Sequence, residues 1–224
     1  LDTTSGAATG WNPSPTGTVR AIVPYCDRIL VGGFFSSIGG QVRNQLASLD
    51  PTTGLADAWN PDANGPVFAL ARGPGSVYVG GVTTMLGGQP RNRLAALDPA
   101  SGAATAWNPN VNGTVRSILV HDSWLFAGGS FTSVNGTASG NLAAVSIDSS
   151  HACPSITLPP PPIPAGVVAV AYSHSAAAGG GTGPYCYTLT AGALPPGITL
   201  ARGTGLLSGT PTTAGLFVFT VTAT

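Results

Sequence analysis

The sequence contains neither glutamate nor lysine. Its formal charge rests on eight Asp and eight Arg that cancel, and charged residues occupy only 7% of its 224 positions. Glu and Lys are among the better helix formers. Their absence, beside 32 Gly and 20 Pro, excludes a helix-rich fold and points to strands and turns. Without a basic excess, nucleic acid is not an expected partner, because phosphates are bound through clustered cations. Long hydrophobic runs are missing too: the best, Gly166-Val-Val-Ala-Val-Ala171, falls far short of the roughly 18 residues of a membrane span. No membrane span is expected. The chain opens on Leu1-Asp2 without an initiator Met or a basic signal region, and reads as a piece of something longer. With so little net charge to hold copies apart, self-association is an expected property.

What is present is a repeat. Trp-Asn-Pro stands at 11–13, 59–61 and 107–109, a spacing of 48 residues. The same shift brings Leu1-Asp2 onto Leu49-Asp50 and Leu97-Asp98. It brings Val19 and Ile22 onto Val67 and Leu70, then onto Val115 and Ile118. Gly32-Gly33 falls on Gly80-Gly81 and Gly128-Gly129, and no insertion is needed from residue 1 to about 146. Within the first unit, strand candidates lie at about 18–23, 29–34, 45–49 and 55–59, separated by turn residues. Four strands in a repeat of this length is the pattern of a β-propeller blade. Trp11, Trp59 and Trp107 are then structural: each ring packs between neighbouring sheets. Gly33, Gly81 and Gly129 mark turns or close strand approaches. Trp124 lies outside the repeated pattern and is the candidate surface contact among the four tryptophans.

The pattern W-N-P, V-x-A-I/L, V-G-G, R-N-x-L-A-A/S-L-D-P resembles the repeats of β-propeller domains of unknown function found in large bacterial surface and secreted proteins. The resemblance covers residues 1–148 and implies a fold without implying catalytic residues. Propellers close with about four to eight blades, and this chain supplies three. Either further blades precede these in a parent protein, or copies complete one another across uncovered sheet edges and apolar faces.

Composition changes after Ser149. Residues 149–164, with Leu158-Pro-Pro-Pro-Pro-Ile-Pro164, form a Pro-rich junction that is either a spacer or a first edge strand. Beyond it, strands are expected at 166–172, 185–190, 197–201, 205–208 and 216–223. Cys153 and Cys186 share this region and form a candidate disulfide, while Cys26, absent from the other repeats, reads as a small buried residue. The motifs Gly192-Ala-Leu-Pro-Pro-Gly-Ile-Thr-Leu200 and Thr204-Gly-Leu-Leu-Ser-Gly-Thr-Pro211 resemble an immunoglobulin-like module of bacterial extracellular proteins, over roughly 153–224. That resemblance implies secretion and a spacer or adhesive role. It also implies that the opening cysteine pairs beyond the end of the module, which competes with the Cys153–Cys186 pairing.

Chemistry is sparse. His121, His151 and His174 lack a paired metal-ligand spacing. The glycine runs lack the lysine of a phosphate loop, and no G-x-S-x-G elbow occurs. Asp2, Asp50 and Asp98 each open an Asp-x-x-x-Gly turn and are expected to accept local backbone hydrogen bonds. Calcium would want about six to eight oxygens, more than one carboxylate per turn provides. Arg43 and Arg91 recur on one loop, either as a shared anion contact or as loop braces; the third repeat has Ser139-Gly140 instead. Asn112-Gly-Thr and Asn135-Gly-Thr match a glycosylation acceptor, a common chance match.

The expected architecture is all-β, with three 48-residue four-stranded propeller-type blades over 1–148, the junction over 149–164, and an immunoglobulin-like sandwich over 165–224. No catalytic residue, metal or cofactor is expected. The leading functional reading is a non-enzymatic structural or adhesive protein of a bacterial cell surface, assembling into a fibre or sheath. Its partners would be its own copies or neighbouring domains of a longer parent. One alternative is a module that binds a glycan or cell-surface protein through propeller loops and Trp124; another is a fragment of a propeller enzyme.

Overall fold

Alternating side chains in Thr18–Tyr25 (β1) and the continuous apolar run in Arg28–Phe34 (β2) make an antiparallel pair, as the period-two pattern requires. Ser37–Ile38 (β3) and Gln41–Val42 (β4) form a short hairpin with Gly39-Gly40 at its tip, both at positive φ. Leu46–Leu49 (β5) returns along the other side of β2, giving the order β1-β2-β5. The computed structural model describes residues 5, 7–73, 75–147, 163–179 and 185–223. The chain divides into two compact units, Leu1–His151 and Ala152–Thr224.

The first unit repeats this sheet twice. Val67–Gly73 (β6), Ser76–Gly81 (β7), Met85–Leu86 (β8), Gln89–Pro90 (β9) and Leu94–Leu97 (β10) form the second copy. Thr114–His121 (β11), Trp124–Ser130 (β12), Ser133–Val134 (β13), Thr137–Ala138 (β14) and Leu142–Ser146 (β15) form the third. Each innermost strand carries a bulge at the same place, where Arg20, Phe68 and Arg116 are skipped by the pairing.

The expected fourth strand at 55–59 is not a strand. It is reduced to the single bridge Leu49↔Ala56, matched by Leu97↔Ala104 in the next repeat. The reason is local competition for the backbone. The Asp57 carboxylate accepts the Trp59 N–H at 2.8 Å, the Asp57 carbonyl accepts an Arg43 guanidinium N–H, and Pro61 offers no donor.

In the second unit Tyr172–Ser175 (β16), Leu206–Gly209 (β19) and Ile198–Leu200 (β18) form one sheet in the order β16-β19-β18. Tyr187–Gly192 (β17) pairs with Phe219–Ala223 (β20) in a second. The strand expected at 166–172 is displaced towards the C-terminus. Ala169 takes φ +62°, Val170 N–H donates to the Val167 carbonyl, and the chain turns before β16 begins. Likewise 216–218 stays outside β20, with Leu216 exposed. Most of the expected junction, with His151 and Cys153, lies outside the described residues.

Glycines set how closely the strands of each inner pair approach. A Cβ at Gly33, Gly81 or Gly129 would stand 2.1, 2.2 and 2.0 Å from the carbonyl oxygens of Thr18, Pro66 and Thr114. These are backbone atoms that cannot swing aside. Gly81→Ala is therefore expected to destabilise the first unit by about 2–3 kcal/mol, read as a lower urea midpoint. An unchanged midpoint would show that the strand pair can open without cost.

Candidate functional site

The sheets of the first unit stack face to face through one contact made twice. Gly32 on β2 leaves room for Val67 of the second repeat; a Cβ there would meet Val67 Cγ1 at 2.5 Å. Gly80 on β7 does the same for Val115 of the third, at 2.7 Å. Around the first contact Leu30 and Leu46 pack with Val67, Leu70 and Leu86. Around the second Tyr78, Leu94 and Ala96 pack with Val115, Leu125 and Phe131. Leu46 and Leu94 are completely buried, and burying one such side chain contributes about 1.5–3 kcal/mol.

The repeated tryptophans belong to this packing. Trp11, Trp59 and Trp107 each donate Nε1–H to a carbonyl 39 residues further on, at Asp50, Asp98 and Ser146, over 3.2, 3.3 and 2.9 Å. Each indole thus ties the entry of its repeat to the exit. Trp59 is 3% exposed, and Trp107 packs edge-to-face on Tyr78 at 5.3 Å. Trp11, at the leading end of the described sheets, is 36% exposed.

Positions that are equivalent by sequence therefore differ in burial according to whether a neighbour covers them. At the leading end Ile22 is 64% exposed, whereas its counterpart Leu70 is buried. At the trailing end Leu142 is 67% exposed, whereas Leu46 and Leu94 are buried. Leu119, Trp124 and Ala144 share that trailing face, paired across the sheet through His121↔Trp124 and Phe126↔Ala144. Trp124, expected as a surface contact, is 49% exposed and sits at the start of β12 on this uncovered sheet face. Its counterparts are Arg28 and Ser76. The equivalence of faces was invisible until the strand register showed which way each residue points.

Along the inner rim, the bulge residues Arg20, Phe68 and Arg116 form a ladder: both guanidiniums lie over the Phe68 ring, at 6.0 and 5.9 Å from its centre. Arg72 covers the ring of Tyr25 at 5.1 Å, where burial pushes the phenol above its ordinary value.

The remaining candidates are loop braces. Arg43 donates to the carbonyls of Val42 and Asp57, and Arg91 to those of Pro90 and Thr105. Asn44 and Asn92 beside them bond Asp62 and Asn110. In both arginines Nη1 and Nη2 each donate to a backbone carbonyl, and Nε is buried without a hydrogen-bond partner. Asn112 holds a loop shut: its Oδ1 accepts the N–H groups of Thr132 and Ser133, and its Nδ2 donates to Thr132 Oγ1. A glycan on that nitrogen would displace the last bond. Asp57, unremarked in the sequence because no other repeat has it, also accepts the hydroxyl of fully buried Ser48 at 2.6 Å. Its signal was the break in the repeat itself, Asp57 where Thr105 follows.

Asp50 and Asp98 accept the N–H groups of Thr53 and Ser101, then the hydroxyls of the same residues, and both carboxyls are held below the ordinary 3.8. Asp2 lies outside the described residues. Among the described residues no group of three His, Cys, Asp or Glu is placed to hold a metal ion, and no helix is long and apolar enough to cross a membrane. Cys26, half-buried, and Cys186, buried, are both disulfide-bonded. Cys26 is thus more than a small core residue; Cys153, the partner expected for Cys186, lies outside the described residues.

Residues 27–58 match the family model for a domain of unknown function (DUF5122) beta-propeller. Residues 154–224 match the model named Putative Ig domain. The first unit is propeller-type and the second immunoglobulin-like. No curated protein matches the chain significantly. The propeller match spans the strands β2 to β5 and the turn that closes the first repeat, so it rests on the segment whose pattern recurs at 75–106. Domains of these two kinds are typical of bacterial surface proteins.

Two predictions follow from the braces. Because the turn carboxylates of the propeller-type unit titrate below their unfolded values, their contribution is complete above about pH 4 and is lost as pH falls through the lower native values. The Asp50→Asn, Asp98→Asn double variant should accordingly show a shallower fall of melting temperature between about pH 4 and pH 2 than the parent; parallel curves would refute the turn role. Arg91→Ala should cost about 1–3 kcal/mol in urea unfolding through two lost carbonyl partners, and Arg91→Lys should recover little of it, since an ammonium cannot span both.

Proposed function

We propose that the chain is a non-enzymatic structural or adhesive protein of a bacterial cell surface, in which the propeller-type unit is an interaction scaffold and the immunoglobulin-like unit a spacer or adhesive module. One observation carries the reading: both end faces of the stacked sheets are apolar and uncovered. Ile22 and Trp11 stand at one end and Leu119, Trp124 and Leu142 at the other. Soluble monomers rarely leave contiguous patches of this kind without a partner. The 7% charge content supports the same reading, because it leaves little repulsion between approaching surfaces. Asp50 and Asp98 are engaged in turns, Asp57 with Ser48, and Arg43 and Arg91 with backbone carbonyls of their loops.

A second reading, recognition of a glycan, is favoured by Trp124 alone, since an exposed indole on a flat sheet suits stacking on a sugar ring.

Antibodies raised against the immunoglobulin-like unit should label intact source cells or their shed matrix. Labelling that appears only after permeabilisation would overturn the surface assignment. On a glycan array, the surface-scaffold reading expects no saturable binding; saturable binding abolished by Trp124→Ala would transfer the assignment to glycan recognition.

A further inference from the structure

The two uncovered end faces are the two halves of a contact that the chain already makes twice within itself. The trailing face of the third repeat carries Leu119, Trp124, Phe126, Gly128, Leu142 and Ala144. The corresponding faces of the first and second repeats carry Gly32 with Leu46 and Gly80 with Leu94, and each is covered by a valine-leucine or valine-isoleucine pair from the next repeat. That pair is Val67 with Leu70, then Val115 with Ile118. The first repeat offers the same pair, Val19 with Ile22, and Ile22 is uncovered.

Gly128 makes the comparison specific. A Cβ at Gly32 or Gly80 would strike the valine of the following repeat, whereas at Gly128 it meets only the Ser117 hydroxyl at 2.7 Å and Asn141 O at 3.9 Å, both of its own sheet. The socket is formed and its valine is missing.

We propose that this socket takes Val19 and Ile22 of a second copy of the chain, joining copies head to tail. The proposal rests on the scaffold reading above and names its partner. The bulge cations nearest the two faces, Arg20 and Arg116, both lie over Phe68 of the middle repeat, His121 is paired beside Trp124 on the trailing face, and the apolar residues that meet would be counterparts of those that already meet inside the chain. Because the contact is heterologous, each copy keeps one socket and one pair. Two copies of three repeats would bring six sheets together, within the range of about four to eight at which propellers close, so a pair in which each copy fills the socket of the other is the smallest closed form.

The test is light scattering of the full chain from about 1 to 100 μM, beside Ile22→Arg, Leu142→Arg and Gly128→Val. The parent should reach twice the 22.1 kDa of the chain. Each variant alone should lose affinity by at least about 30-fold, while circular dichroism stays close to the parent and the melting temperature matches that of the parent at concentrations where it is monomeric. Mixing Ile22→Arg with Leu142→Arg should restore part of the association, since one of the two contacts, an intact socket with an intact pair, is then available. An open series of copies that either substitution abolishes would equally support docking. A parent that stays monomeric throughout, an association that survives both arginines, or a mixture that fails to pair would overturn it. Should Leu142→Arg fail to fold, Trp124→Ala probes the same face. A monomeric parent whose immunoglobulin-like unit is still labelled on intact cells would sink the docking and leave the surface role standing.

Discussion

Everything in the propeller-type unit depends on how closely one sheet can approach the next. That distance is set at Gly32 and Gly80, where the absence of a side chain admits Val67 and Val115 into van der Waals contact with the strand itself. Around each valine the apolar side chains of the two sheets cluster, and Leu46 and Leu94 become fully buried. At about 1.5–3 kcal/mol per buried aliphatic side chain, a single stacked interface outweighs any of the surface hydrogen bonds, which contribute about 0.5–1.5 kcal/mol each. Stability in such an array is a sum over neighbouring interfaces. Among its described residues the propeller-type unit has three three-stranded sheets and two such interfaces.

The tryptophan bonds serve that stacking without replacing it. By tying residue 11 to 50, 59 to 98 and 107 to 146, they close each repeat on itself at the same 39-residue separation. The closure is identical at Trp11, which is exposed, and at Trp59, which is not. Hydrogen bonding is thus a property of the repeat alone, while burial of the indole is supplied by the neighbour. The same separation of causes holds in the Asn64 and Asn112 clamps, where one amide satisfies two loop N–H groups in each of two repeats. Thr16 performs the task with a hydroxyl in the first.

Much of this was legible in the sequence because the determinants are periodic. The tryptophans, the glycine pairs and the Leu-Ala-x-Leu strands announced a repeated sheet, and the turn role of Asp50 and Asp98 followed from the spacing of Asp and Gly. The fourth strand was misread because its residues have ordinary strand propensity, while their backbone groups are claimed by side chains from elsewhere, Arg43 and Arg91. In the immunoglobulin-like unit, Val167-Val168 has the composition of a strand and the geometry of a turn, since Ala169 N–H bonds the distant Pro211 carbonyl. Such contacts join residues with no fixed spacing, and pattern reading has no access to them. Trp124 was singled out for standing outside the repeat, but its meaning came only from the pairing with His121, which puts it on the trailing face.

Equivalent positions at an unbroken 48-residue spacing, unequally buried in the structure, are themselves informative. If each repeat were a self-sufficient unit, equivalent residues would be equally covered. Instead Leu46, Leu94 and Leu142 are buried, buried and exposed, and Ile22 and Leu70 are exposed and buried. The differences fall only at the two ends, and in opposite senses: one end lacks what the other presents. Leu142 is as apolar as the buried residues it mirrors, and no charged or proline substitution blunts the trailing face in the way that solvent-exposed sheet surfaces are commonly protected. A surface that keeps the chemistry of an interface is what the proposed docking of copies would use.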